Sequence, residues 1–292
     1  MDGFDAVART ALLTAALRAQ ETARPDRLYA DPYAVKLAAE LGPDLFGTVD
    51  TVSGEKRAEP APERPLPNTT DYNAIRTRFL DDFLLTAVAD SGPTQIVIGA
   101  AGMDTRAYRL PWPTQVEIFE VDRPQVLAFK DAVLGDEALP AGVTRRTVGA
   151  DLLVPGWTDA LVAAGYDPTR ASVWLLEGLL YYLPERQARE LLATVAASTA
   201  PGSRVACDMV NAQALRSPVM RPLLAVFEAW GSPWLFGSDT PELLFAEYGI
   251  DAVAVQPGEP GADYGGRWRD PVPPRDLVPD VERVFCVHGR RV

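Results

Sequence analysis

From residue 95 to residue 210 the chain repeats one pattern, a short run rich in β-branched and aromatic residues followed by a stretch with helical spacing. The strand-like runs are "QIVIGA", "VEIFEVD", the short "TRRTVGADL", the start of "SVWLLEGLLYYL", and "RVACDMV". "RPQVLAFKDAVLG", "WTDALVAAGY" and "PERQARELLATVAASTA" lie between them as helices. This alternation dictates a parallel α/β sheet with helices on both faces, because parallel neighbours can be joined only by a long crossover. The rhythm breaks near the C-terminus. "TPELLFAEYGIDAVAVQP" reads as helix then strand, and a Pro/Gly-rich link without a helix leads to "VERVFCVHGRRV". Strands joined in that way pair antiparallel. The expectation is a seven-stranded sheet whose last strand is reversed.

Ahead of the sheet, residues 5 to 22 place Ala, Leu and Val at helical spacing. "YADPYAVKLAAELGP" reads as a second, short helix with Pro32 near its start, where a missing N–H costs little. "AIRTRFLDDFLLTAVADSG" reads as an amphipathic helix ending at Gly92. Residues 47 to 70 are rich in Pro, Glu and Thr, and a loop of that length is disordered or a lid. A single domain of four parts is expected. These are N-terminal helices and lid loop (1–75), a ligand-binding core (76–210), a helical cap insertion (211–238), and a C-terminal helix with a β-hairpin (239–292).

The formal net charge of −12 argues against a nucleic-acid partner and against an anionic membrane, both of which select clustered Lys and Arg. No run approaches 18 apolar residues, and the first residues carry acids rather than a signal-peptide pattern, so a cytoplasmic protein is expected. The two cysteines, Cys207 and Cys286, lie in apolar runs and read as buried thiols. With His288 as the lone histidine, no metal site is expected.

In an open parallel sheet, ligands bind beyond the carboxyl ends of the strands. Each of the first four strands has an acid there: Asp104 after the first, Glu120 and Asp122 in the second, Asp151 after the third, and Glu177 after the fourth. A dinucleotide would bring a pyrophosphate to these carboxylates, and "GAAGMD" lacks the G-x-G-x-x-G that receives one. The pattern suits a ligand with hydroxyls and amines but no phosphate. S-adenosylmethionine fits: its ribose diol can donate to Asp122, its adenine amine to Asp151, and its sulfonium tolerates carboxylates.

"RTRFLDDFL", "GAAGMDTRAYRL", "IFEVDRPQVLAFK", "GADL" and "LLEGLLYYLPE" together resemble the leucine carboxyl methyltransferase family, with closer similarity to its bacterial branch of tetracenomycin-type polyketide O-methyltransferases. The resemblance runs from about residue 10 to the C-terminus. It implies a Rossmann-like class I methyltransferase sheet and S-adenosyl-L-methionine as cofactor. It also implies roles for individual residues. Arg76 would hold the methionine carboxylate, a task suited to the guanidinium fork, and Arg78 is a weaker candidate for it. Ala100 and Gly102 would form the glycine-rich loop. Asp122 would bind the ribose with help from Glu120. Asp151 and Leu152 would contact the adenine, and Glu177 and Gly178 would lie near the methionine amine. One position departs from the pattern, since the family often has Gly where this chain has Ala100.

Methyl transfer from a sulfonium is an in-line displacement in which the protein mainly supplies proximity and orientation. A carboxylate acceptor is already ionised at neutral pH, whereas a hydroxyl usually needs a general base, most often His. Because His288 is the only histidine and sits in the last strand, the sequence favours a carboxylate of a small natural product or metabolite as acceptor, with Asp, Glu or Tyr left open as a base. A hydroxyl or phenol acceptor is the alternative, as is a cofactor-binding protein without transferase activity. Tyr181 and Tyr182 are candidate acceptor-positioning residues, and Arg221 a weaker one. Met220, Phe227, Trp230, Trp234 and Phe236 form an aromatic-rich group in the 211–238 insertion, suited either to a flat apolar substrate or to packing of the cap. Oligomeric state is not legible.

Overall fold

Alternation along each strand decides which residues face which layer. Ile96 and Ile98 of strand β1 (Gln95–Gly99) point into one apolar layer, and Val97 points into the other. The same period-two split divides β2 (Val116–Asp122), with Ile118 on the first side and Phe119 and Val121 on the second. Both faces of these strands are therefore apolar, as a sheet covered on both sides requires. The computed structural model describes residues 6–40, 69–90 and 94–292.

Among the described residues one seven-stranded sheet forms, in the order β3-β2-β1-β4-β5-β7-β6. Its other members are β3 (Val143–Gly149), β4 (Ser172–Leu176), β5 (Arg204–Val210), β6 (Ile250–Val255) and β7 (Val284–Arg291). The first five run parallel, and β7 lies antiparallel between β5 and β6. The expected sheet and its reversed last strand are thus found. The order turns back at β1, with β2 on one side and β4 on the other, which opens a crevice at their carboxyl ends.

Helices α1 (Ala6–Ala23), α2 (Pro32–Ala39) and α3 (Thr69–Ala89) cover the first face, where Leu13, Leu37, Ile75, Leu80 and Leu84 join the core. Pro32 opens α2 and Asp31 caps it, its Oδ1 accepting from Ala34 N at 2.9 Å. A short turn of helix, α4 (Arg106–Arg109), and helix α5 (Pro124–Leu134) follow β1 and β2. The second face is covered by α6 (Trp157–Ala163), α7 (Glu185–Ala197) and α9 (Pro241–Ala246), with α8 (Arg221–Ala229) in the 211–238 insertion. Trp174 of β4 is fully buried there, edge-on to Trp157 and Tyr166 at centroid distances of 6.0 and 5.7 Å. Burial of such a side chain stabilises by roughly 1.5–3 kcal/mol.

Helix α3 runs unbroken through residues 75 and 76, so the division drawn there is not a structural boundary. The expected lid loop lies outside the described residues, apart from Thr69 and Thr70, which open α3. Cys207 and Cys286 are buried free thiols on opposite faces of the sheet. No described helix is long and apolar enough to cross a membrane, and no His/Cys/Asp/Glu cluster among the described residues could hold a metal.

Candidate functional site

The crevice at the carboxyl ends of β1 to β4 opens into a cavity of about 340 Å³. The turn after β1 forms its floor. There Ala100 and Gly102 both have positive φ, +53° and +44°. The Gly102 N–H donates to Asp122 Oδ2 at 2.7 Å, and the Arg123 N–H donates to Asp122 Oδ1 at 2.7 Å. Asp122 therefore clamps the turn to the end of β2 while facing the cavity. Burial pushes its carboxyl above the usual range, and these two N–H groups draw it part of the way back.

Helix α1 roofs the cavity with Thr10, Ala11, Thr14 and Arg18. The roof lies close to the floor, since a Cβ on Gly102 would come within 3.1 Å of the Ala11 methyl. Arg18 pins the roof in place through Nε to Asp31 Oδ2 at 2.9 Å and Nη2 to the Met103 carbonyl at 2.5 Å. One wall comes from the end of β3, where Asp151 and Leu152 line the cavity and Asp151 Oδ1 accepts from the Leu153 N–H at 2.9 Å.

Arg76, Asp104 and Glu177 form another wall, and an ion network stands behind them. Arg76 of α3 lies with Nε 2.9 Å from Glu177 Oε1 and donates through Nη1 to Asp208 Oδ2 at 2.8 Å. Arg106 donates to Glu177 Oε2 and Asp81 Oδ1, each at 2.7 Å, and also pairs with Asp104. Arg109 binds Asp81 in bidentate fashion at 2.6 and 2.8 Å. Burial alone would raise Glu177 and Asp104, but the facing cations win. Arg106 and Arg76 hold Glu177 below its ordinary range, and Arg106 and Lys130 bring Asp104 to about 2. The phenols respond in the opposite sense. Burial pushes Tyr182 to about 12 and Tyr181 well above its usual value.

Of the residues singled out in the sequence, Arg76, Ala100, Gly102, Asp122, Asp151, Leu152, Glu177 and Gly178 all line this cavity, as do Tyr181 and Tyr182. Glu120 does not, which corrects the role expected for it beside Asp122. It shares a face with Asp122 but sits two residues deeper in β2, fully buried, with Oε2 at 2.7 Å from both Lys130 Nζ and Arg145 Nη2. Arg78 is half-exposed and pairs with Asp82 at 3.0 Å, and Arg221 is exposed and off the lining. His288 packs between Phe79 and Phe83 at 5.7 and 5.8 Å, away from the cavity. The aromatic residues of the insertion back the wall rather than form it. Trp234 lies 4.7 Å from the Tyr181 ring and Phe227 lies 6.0 Å from the Tyr182 ring, and neither lines the cavity. Sequence reading missed Asp208, Asp81, Arg106 and Arg18. Asp208 carries a signal of its own, a charge in the middle of the apolar strand "RVACDMV".

Comparison with known proteins gives the same picture. A protein from Mycobacterium marinum named "Putative S-adenosyl-L-methionine-dependent methyltransferase" is 43% identical over 216 residues, 72% of this chain and 65% of that protein. The matched part thus spans just under two thirds of that relative. A protein of the same name from Saccharopolyspora erythraea is 37% identical over 279 residues, 93% of this chain and 87% of its own length. A crystal structure of a "putative methyltransferase" from Thermobifida fusca YX shares the fold at 18% identity, with a TM-score of 0.61 over 91% of this chain and 94% of that one. A leucine carboxyl methyltransferase family model matches residues 11–196, which include every residue of the cavity lining except Thr10. With its sheet order, its crevice and its sequence in agreement, the chain belongs to the leucine carboxyl methyltransferase family.

Proposed function

We propose that the cavity binds S-adenosyl-L-methionine and that the protein transfers its methyl group to a carboxylate oxygen of a small natural product or metabolite. The residues present fit this cofactor. The Asp122 carboxylate faces the cavity as an acceptor for a diol. Arg76 lines the cavity, and its buried Nε has no hydrogen-bond partner among the described residues although Glu177 Oε1 lies 2.9 Å away, so the guanidinium keeps donor capacity that suits a carboxylate. A Cβ on Gly178, at φ +63°, would sit 3.5 Å from the Tyr181 hydroxyl and 3.7 Å from Arg76 Nη1, so the missing side chain keeps this cradle open. The surplus of carboxylates on the lining suits an ammonium and a sulfonium and opposes a pyrophosphate. When bound, the cofactor supplies an electrophilic methyl group.

One observation carries the choice of acceptor. Four of the titratable groups facing the cavity are held in states that make poor bases, and the raised Asp122 carboxylate is engaged by the Gly102 and Arg123 N–H groups. Glu177 and Asp104 are held ionised by arginines and, for Asp104, a lysine, and the two tyrosines are held protonated by burial. An acceptor that arrives already ionised suits this site, and protonated phenols can donate hydrogen bonds to it without quenching its charge as a guanidinium would. The same reading takes the acceptor to be polyketide-like and the cytoplasm to be the compartment. Labelled cofactor offered with a panel of acids and phenols tests it. An alkali-labile labelled product is expected. An alkali-stable product would replace the carboxylate by a hydroxyl, and cofactor binding without any product would leave a binding protein.

A further inference from the structure

We infer that Asp208 is a positioning residue that sets Arg76 and the Glu177–Gly178 turn for the amino-acid end of the cofactor; this role rests on the proposed function above. Asp208 stands in the middle of β5, fully buried, and does not itself line the cavity. Three donors from two other segments converge on it. The Gly178 N–H donates to Oδ1 at 2.6 Å, and Oδ2 accepts from Arg76 Nη1 at 2.8 Å and from the Tyr72 hydroxyl at 3.0 Å. Tyr72 and Arg76 are four residues apart on α3, so one face of that helix delivers both. Two of the three donors, Arg76 and Gly178, line the cavity.

A carboxylate inside an apolar strand is costly, and well-packed apolar residues would serve stability at least as well. Its partners make sense of the charge. Asp208 and the Tyr181 hydroxyl both accept from Nη1 of the guanidinium, at 2.8 and 3.3 Å, and the Glu177 carboxylate faces its Nε at 2.9 Å, so hydrogen bonds and charge together hold the fork in place. The bond to Gly178 N holds a turn that passes through φ +63°. The same carboxylate thus registers the cation of one wall against the backbone of the next.

Asp208→Asn tests this role. The amide oxygen can still accept from Gly178, but the amide N–H₂ then faces the Arg76 and Tyr72 donors. Calorimetric titration is made with two probes. One is S-adenosylhomocysteine; the other is 5′-methylthioadenosine, which has the same nucleoside but no amino-acid end. Affinity for the first is expected to fall about 10- to 100-fold, by analogy with loss of a group that orients metal ligands. Affinity for the second is expected to stay within about twofold. Equal losses for both probes, or no loss for either, overturn the role. Should the Asn variant fail to fold, Tyr72→Phe, which removes one donor from Oδ2, is expected to weaken S-adenosylhomocysteine about threefold to tenfold, with methylthioadenosine unchanged; an unchanged profile overturns it. Wild-type protein that binds neither probe refutes the cofactor reading itself, and this role with it.

Discussion

Arg76 and Glu177 meet with Nε and Oε1 2.9 Å apart, although one belongs to helix α3 and the other follows strand β4. The contact closes one wall of the cavity and ties the N-terminal helices to the sheet. Arg76→Ala would leave Asp208 fully buried without its cation, at a cost of about 3–5 kcal/mol. Arg76→Lys keeps the charge but loses the fork. It is expected to fold with a smaller loss and to bind S-adenosylhomocysteine about tenfold more weakly, the equivalent of one charged hydrogen bond. Urea unfolding and calorimetry check the two parts separately.

Ala100 occupies a left-handed conformation, φ +53°, two residues before Gly102 at +44°. A Cβ in that region costs about 1–2 kcal/mol. Ala100→Gly relieves it, offset by about 0.4–1 kcal/mol of extra freedom in the unfolded chain. A net gain of about 0.5–1 kcal/mol is expected, seen as a higher urea midpoint at unchanged slope. Gly102→Ala is expected to act in the other direction, losing about 1–2 kcal/mol, because its new methyl meets Ala11 at 3.1 Å under the roof.

Acid should loosen the ion network in a defined window. Asp104 titrates at about 2 in the fold against an ordinary 3.8, because Arg106 and Lys130 outweigh its burial. The folded state therefore releases the proton more readily than the unfolded chain. The stabilisation, about 2 kcal/mol by linkage, is complete above about pH 4 and disappears as pH falls toward 2. Glu177 and Asp31 are lowered by facing arginines as well, so their contributions are lost on the same acid side. Urea midpoints measured from pH 6 to pH 2 should fall steeply at the acid end, and Asp104→Asn should flatten that limb.

The seven strands and the reversed last one were legible because period-two alternation and helix-length gaps are local signals, and the acids at the strand ends were legible because topology places strand ends at the site. Depth and pairing were not. Glu120 and Asp122 look alike in "FEVD", and only the packing of Lys130 and Arg145 over β2 separates them. Arg106 lies within "GMDTRAYRL", yet its partners Asp81 and Glu177 stand 25 and 71 residues away. The charge at Asp208 was visible, but its meaning depends on α3 lying across β5.

The tyrosines should act as donors rather than bases. Burial sets Tyr182 at about 12 and raises Tyr181 well above its ordinary value, so both keep their protons through neutral and moderately alkaline pH. Tyr182→Phe is expected to raise the acceptor KM several-fold, about 1 kcal/mol, with the pH profile of kcat unchanged between pH 7 and about 10. A kcat that collapses about 100-fold or more together with an altered pH profile would instead mark Tyr182 as a base.

Glu120 should matter for stability and not for binding. Its carboxylate and the Lys130 ammonium are both fully buried and 2.7 Å apart, and Arg145 donates to the same oxygen at 2.7 Å. Glu120→Gln removes the one negative charge between two cations and leaves a buried ammonium to be satisfied by the Asp104 carbonyl at 2.9 Å. Breaking such a pair from one side costs about 3–5 kcal/mol, whereas replacing both members with apolar groups of similar size is often neutral. Glu120→Gln should therefore lower the urea midpoint sharply, and Glu120→Leu combined with Lys130→Met should recover much of the loss. Where the single variant remains folded, affinity for S-adenosylhomocysteine is expected to stay within about twofold of wild type, because the carboxylate lies below the cavity floor rather than on it. A tenfold loss of affinity in the well-folded double variant would return Glu120 to the ribose-binding role that its place beside Asp122 first suggested.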